Sequence, residues 1–284
     1  METNLTDRQK ACIPRVTFEL IPLCLLVSNQ TYQRPLSESH IIKAVREFDV
    51  YQVNPVKVSR RNGVNYVFDG QHTIEIIASK SGSRQTPVWC MVYDELQYEE
   101  EAHIFAEQQK NVKALSPYDS FNAHLEAGDQ KEIMIRDLVR SYGLEISSIK
   151  QPGAVCAVGA LSYISDKYGF QVLDRTIRLI VGTWEGENNS MSASIMKGIA
   201  KLIGTYGDSL REDIFKEHVG RCTVKMIIRN AKERRPGTMG FAEAMLIAYN
   251  AKNKYRLPMT KLYGNNDEEE IENNDSDENE NNEE

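Results

Sequence analysis

The run Val64-Asn-Tyr-Val-Phe-Asp69, followed at once by Gly70-Gln71-His72 and then Thr73 to Ser79, constrains the fold more than any other part of the chain. Its apolar, β-branched and aromatic residues read as a buried strand bounded by Asn62-Gly63 and Asp69-Gly70. Thr-Ile-Glu-Ile-Ile-Ala-Ser then switches to an apolar-rich helical pattern. A strand that turns through glycine into a helix gathers the free N–H groups of the first helical turn around one point. Those donors and the positive end of the helix dipole attract an anion, most often a phosphate. Gln71 and His72 are placed to donate to it, and Asp69 with His72 forms a candidate catalytic pair for metal-assisted or general-base hydrolysis. The plain alternative is that Asp-Gly is a tight turn, with Asp69 capping the helix and His72 packed.

The neighbouring segments place this unit in an α/β domain. Val16 to Leu20 reads as a strand, and Pro22 to Val27 is an apolar run of open type. Pro35 disfavours helix at Arg34, so Tyr32 to Leu36 is a loop. Ser37 then caps a helix reaching about Phe48, with Ile41, Val45 and Phe48 on one face. Pro55 to Arg60 alternates like a strand and joins Val64–Asp69 through Asn62-Gly63 as a hairpin. A further strand covers Pro87 to Tyr93, and a Glu-rich helix runs from Glu95 to Lys110. Its face of Asp94, Glu95, Glu99, Glu100 and Glu101 reads as a solvated surface in preference to a metal site.

Beyond Ser116-Pro117 the period changes. Segments 117–127, 129–142, 154–168, 170–184, 190–206, 209–218, 222–232 and 238–252 read as helices, with no convincing strand. The expected organisation is a flexible lead-in over 1–15, an α/β domain over 16–116, a helical domain over 117–262 and a disordered acidic tail over 263–284. Within that tail, residues 265–284 hold eleven Asp and Glu and no Lys or Arg, and are too polar to fold alone. Taking those eleven negative charges from the chain's net −7 leaves +4 on residues 1–264, a mildly basic body.

That body carries a basic cluster, Lys225, Arg229, Lys232, Arg234 and Arg235, whose first three members share a helix face. A second group, Lys252, Lys254, Arg256 and Lys261, follows with Tyr249 and Tyr255 interleaved. Lys225, Arg229, Lys232, Arg234, Arg235, Lys254 and Arg256 are the candidate nucleic-acid contacts, the alternative being an ordinary solvated face. The acidic tail either folds back to compete with nucleic acid or only solubilises. Five cysteines without CxxC spacing or nearby histidines support neither a disulfide framework nor a metal site. With no secretory pattern and no run of about 18 apolar residues, a reduced, cytoplasmic protein without membrane partners is expected.

Tyr32-Gln33-Arg34-Pro35 before a helix, Val67-Phe68-Asp69-Gly70-Gln71-His72 at a strand–helix turn, and the later run Phe105 to Pro117 together resemble the ParB/sulfiredoxin superfamily. Within it, phage- and mobile-element-type members with a DGQHR-like motif are the most similar. The likeness covers roughly residues 15–125. It implies a ParB/sulfiredoxin-like α/β domain followed by the helical domain. It also implies that Arg34, Gly70, Gln71 and His72 bind a phosphate, with Thr73 a candidate in the same turn; a nucleotide such as CTP or ATP, Mg2+ and a homodimer are further candidates. Gln71 stands where sulfiredoxins carry their nucleophilic cysteine, which excludes sulfinic-acid reductase chemistry. Thr73 replaces an arginine common in relatives and weakens the grip on a triphosphate. The resulting expectation is a nucleic-acid-associated binding or regulatory protein. Its rivals are a nuclease or nucleotide hydrolase using Asp69 and His72, and a non-catalytic protein-interaction adaptor.

Overall fold

The computed structural model describes residues 6–264 except 11, 14, 29–31, 95, 109–113, 186 and 188. The acidic stretch 265–284, Glu95 and part of the expected lead-in therefore lie outside the described residues. The chain divides into two compact units, residues 1–113 and 114–284.

The first unit opens with a short helix α1 (Asp7–Lys10) and carries a five-stranded mixed sheet of order β1-β5-β3-β4-β2. Strand β1 (Thr17–Pro22) pairs antiparallel with β5 (Pro87–Asp94), and β5 runs parallel to β3 (Val56–Arg61). β3 forms the antiparallel hairpin with β4 (Val64–Asp69), and β4 runs parallel to the three-residue β2 (Leu26–Ser28). The hairpin turn places Asn62 at φ 51° and Gly63 at φ 77°. Both lie in the left-handed region, as a two-residue turn matched to strand twist requires. The apolar run of open type after Pro22 resolves into a 3-10 turn (Leu23–Leu25) and β2.

Side chains alternate across the sheet, so Val56, Val58, Val67, Val88, Cys90 and Val92 face one way and are buried. They pack with Ile74 and Ile77 of α3 (Gln71–Ser81), and Phe48 beyond the end of α2 (Glu38–Arg46) joins the same cluster. Ser37 caps α2 by accepting from the His40 N–H, as its position before the apolar period predicts. On the opposite side, α4 (Tyr98–Gln108) packs against β4.

The second unit contains α5 (Pro117–Glu126), α6 (Gln130–Ser141), α7 (Val158–Tyr168), α8 (Phe170–Trp184), α9 (Ala193–Tyr206), α10 (Glu212–Val219), α11 (Val224–Lys232) and α12 (Gly237–Asn250). These are the eight helices expected from periodicity. Two elements depart from that expectation. A two-stranded parallel ladder joins β6 (Glu145–Ile146), in the connection after α6, to β7 (Ala154–Val155), at the start of the segment that reads as helix from 154, and α13 (Met259–Tyr263) follows α12. Segments of two and five residues are too short to show a period. The core centres on α9, nine of whose fourteen residues are buried, and Gly198 lets α12 approach closely. A Cβ there would stand 2.9 Å from the Phe241 Cβ and 3.3 Å from the Ala242 nitrogen. Among the described residues no helix is long and apolar enough to cross a membrane.

Candidate functional site

The turn after β4 is shaped by glycine for two independent reasons. Gly70 is the N-cap of α3 at φ 100°, a conformation that a side chain disfavours. A Cβ built there would also meet the Val56 Cα and Cγ2 at 3.3 Å. Asp69 does not cap the helix, contrary to the plain alternative. It stands opposite Lys57 in the hairpin register and pairs with that ammonium at 3.8 Å. No side chain caps α3, so the N–H groups at the start of the helix lack a side-chain acceptor.

Three polar residues tie the 32–37 loop to this turn. The buried Gln33 carboxamide donates to the Val67 carbonyl at 2.8 Å, on β4 opposite Ser28 of β2. Gln71, also buried, donates its Nε2 to the Arg34 carbonyl. The Ser37 N–H donates to His72 Nε2 at 3.1 Å. Gln71 and His72 therefore hold the loop in place, where the sequence reading expects donors pointed at an anion. As the acceptor of this bond, Nε2 carries no proton, so the neutral ring bears its hydrogen on Nδ1. Desolvation lowers the His72 pKa, and the positive charges of His40 and Arg34 act in the same direction.

Ser37 joins two helix starts at this corner. Its hydroxyl caps α2 while its backbone N–H reaches His72 in the first turn of α3, and the His40 and His72 rings meet edge-on at 5.5 Å. The positive ends of two helix dipoles thus converge beside Arg34, whose side chain is exposed and whose charge is felt at His72. Thr73 is half-buried in the same first turn of α3. This arrangement suits a phosphate better than a metal ion. No group of three or more His, Cys, Asp or Glu that could hold a metal occurs among the described residues.

Behind the corner lies a cluster that sequence reasoning places on a solvated face. Glu101 is fully buried and forms an ion pair with Arg61 at 2.8 Å. Tyr32 donates to the same carboxylate at 3.3 Å, and its ring contacts Tyr98 and Phe105 at 5.5 and 5.7 Å. Burial, then the Glu101 charge, raises the Tyr32 phenol above its ordinary value. Arg61 also lies over the Tyr66 ring at 4.3 Å. Tyr32 directly precedes Gln33, so this cluster anchors the start of the loop that the turn holds. One Glu among several consecutive ones gives no sign of burial, so only three-dimensional contact reveals it.

The basic residues of the second unit behave differently. Lys225, Arg229 and Lys232 are exposed on α11, with the apolar Val224, Ile227 and Ala231 buried beneath them. Arg234 and Arg235 follow, also exposed. Arg229 reaches Glu233 only at 3.9 Å, whereas Arg235 pairs with Glu243 at 2.8 Å and lies over the Tyr263 ring at 5.2 Å. Lys254 and Arg256 are exposed between α12 and α13. Tyr255 is flanked by Lys254 at 4.9 Å and by Arg211 at 4.6 Å. Tyr249, read as interleaved with the cations, is instead fully buried, its hydroxyl accepting from the Arg211 N–H. Arg211 is the cation that sequence reasoning missed, because it lies more than forty positions away from Tyr255 in the chain.

A family model described as "Family of unknown function (DUF6551)" matches residues 27–261. No curated protein matches. Among solved structures, the C-terminally truncated chromosome-partitioning protein ParB from Caulobacter crescentus, complexed with CTP-gamma-S, matches with 12% identity and a TM-score of 0.36. That match covers 68% of this chain and 94% of that one, and at such distance it transfers no residue roles.

Proposed function

Because the chain belongs to a family whose description carries no activity, DUF6551, we propose its function from its own residues: a nucleic-acid-associated binding or regulatory protein with a phosphate-receiving corner. The observation that carries this reading is the convergence of the α2 and α3 starts beside Arg34, fixed by the Ser37–His72 hydrogen bond. The anion would accept from first-turn N–H groups of α3, which no side chain caps, with Arg34 supplying the formal charge. Gly70 keeps the turn open, Gln71 and His72 hold the Arg34 loop, and Thr73 offers a hydroxyl in the same turn. The phosphate belongs to a nucleoside triphosphate such as CTP or ATP, or to a nucleic-acid backbone. The exposed cations Lys225, Arg229, Lys232 and Arg234, with Lys254 and Arg256, supply further backbone contacts, consistent with a body of net positive charge.

The geometry favours binding over turnover. The His72 Nε2 lone pair already accepts from Ser37, and Asp69 already faces Lys57, so neither is presented as a base to a bound water. Calorimetric titration with CTP, ATP and a short oligonucleotide, with and without magnesium, tests the proposal. Saturable binding without product is expected, weakened roughly tenfold or more by Arg34→Ala, as loss of a charge-assisted contact implies. Equal affinity for Arg34→Ala, or turnover abolished by His72→Gln, would overturn it.

A further inference from the structure

Residues 265–284 carry eleven carboxylates and no cation, and they leave the described fold at Gly264, directly after Tyr263. Tyr263 is not an arbitrary exit point. The Arg235 guanidinium lies over its ring at 5.2 Å, and α13 packs on α12 and α9. Burial and then Glu243 raise the Tyr263 phenol, while the nearby charges of Arg235 and Arg234 pull it down. The most acidic stretch of the chain therefore starts beside the end of α11, where the most concentrated exposed cations sit.

We infer that residues 265–284 are an intramolecular ligand of the basic surface formed by Lys225, Arg229, Lys232 and Arg234, and that they exclude other polyanions from it. The reach is ample. Lys225 to Lys232 spans about 10 Å along the helix, and twenty residues extend to roughly 65 Å. Charge complementarity selects this surface over the arginines of the unit that carboxylates already neutralise. Arg235 is neutralised by Glu243 at 2.8 Å, and the Arg175–Arg178 pair by Glu212 at 3.2 and 3.0 Å. Arg229 meets Glu233 only at 3.9 Å, so the α11 face keeps most of its positive charge. Tethering makes the contact independent of protein concentration and hard for a free anion to displace at low salt. The exclusion of nucleic acid rests on the proposed function, whereas the docking does not.

A zero-length carbodiimide, which joins a carboxylate to a lysine amine, separates the two claims in the full-length chain. Docking predicts that peptides from 265–284 become linked to Lys225 and Lys232 and far less to the exposed Lys150, within monomers and at any protein concentration. Proximity of the tether alone would give the same lysines, so the deciding variant is Arg229→Gln with Arg234→Gln, which keeps both reporter lysines. Loss of two ion contacts lowers the linkage about threefold or more; unchanged linkage, or equal linkage to Lys150, overturns the docking. In a second variant all eleven acidic residues become Asn or Gln. Its affinity for a single-stranded oligonucleotide rises about tenfold near 50 mM salt, and the gain vanishes at high salt. Linkage confined to α11 with no oligonucleotide binding by either protein would uphold the docking and reject the nucleic-acid reading. An unchanged oligonucleotide affinity would overturn the exclusion.

Discussion

The corner of the first unit and the α11 face of the second both look polar and basic in sequence, yet they use polarity in opposite ways. At the corner, Gln33, Gln71 and His72 are turned inward to carbonyls and an N–H, and Arg61 is drawn onto the buried Glu101. Arg34, by contrast, is exposed. On α11 the cations stand outward over an apolar underside, and none of Lys225, Arg229 and Lys232 is closer than 3.9 Å to a carboxylate partner among the described residues. A motif residue can therefore be specified by the backbone it must hold, and a charged face by what it leaves unneutralised. The contrast implies that substitutions at the corner act first on stability and those on α11 first on binding.

Arg61→Ala should break that contrast most visibly. It strands the Glu101 carboxylate, which is fully buried, with the Tyr32 hydroxyl as its remaining side-chain partner among the described residues. Removing one member of a buried pair costs about 3 kcal/mol. Denaturant unfolding should show the loss, and Arg61→Ala with Glu101→Leu should recover part of it. A loss below about 0.5 kcal/mol would mean that the cluster is solvated after all. Gly70→Ala comes next. It forces a side chain to φ 100° and pushes its Cβ against Val56, for a cost of about 2 kcal/mol.

Much of this was legible in the chain itself. The Asn62-Gly63 hairpin, the Ser37 cap and the eight helices follow from turn chemistry, capping and period, which are local properties. The Gly70 turn was legible too, because strand and helix patterns meet on either side of it. What was not legible is direction. Nothing in Asp69-Gly70-Gln71-His72 says that Gln71 bonds the Arg34 carbonyl, 37 positions away, or that Asp69 pairs back across its hairpin instead of capping forward. Glu101 shows the same limit, since a run of acids gives each member the same local signal. Long-range hydrogen bonds and ion pairs are decided by topology, and β6 with β7 is too short for any period to announce.

The His72 bond gives a smaller effect with a definite sign. Its pKa is lowered in the fold, so the folded protein binds fewer protons at this site than the unfolded chain. The stabilisation is fully present above the ordinary histidine value of about 6.5 and is lost as pH falls from there toward the lowered folded value. Protonation would place a hydrogen on Nε2, which could no longer accept from Ser37. Melting temperature should therefore fall between neutral and mildly acidic pH. His72→Gln, which keeps an acceptor but does not titrate, should flatten that part of the curve. An identical profile in the variant would show that other groups govern it.

The α11 face should give the smallest stability effects, and that smallness is itself diagnostic. Lys225→Ala and Arg229→Ala remove exposed side chains above a core formed by Val224, Ile227 and Ala231, so each should change unfolding free energy by under about 0.5 kcal/mol. If these residues touch a nucleic-acid backbone, each substitution should still reduce the salt dependence of binding. The slope of log affinity against log salt would fall by about 0.9 for duplex and about 0.7 for single-stranded nucleic acid per lost contact. The pair of measurements separates the two regions cleanly. A loss of stability without a change in slope would make α11 a structural face like the corner, whereas a change in slope without a loss of stability marks it as the surface where a polyanion is held.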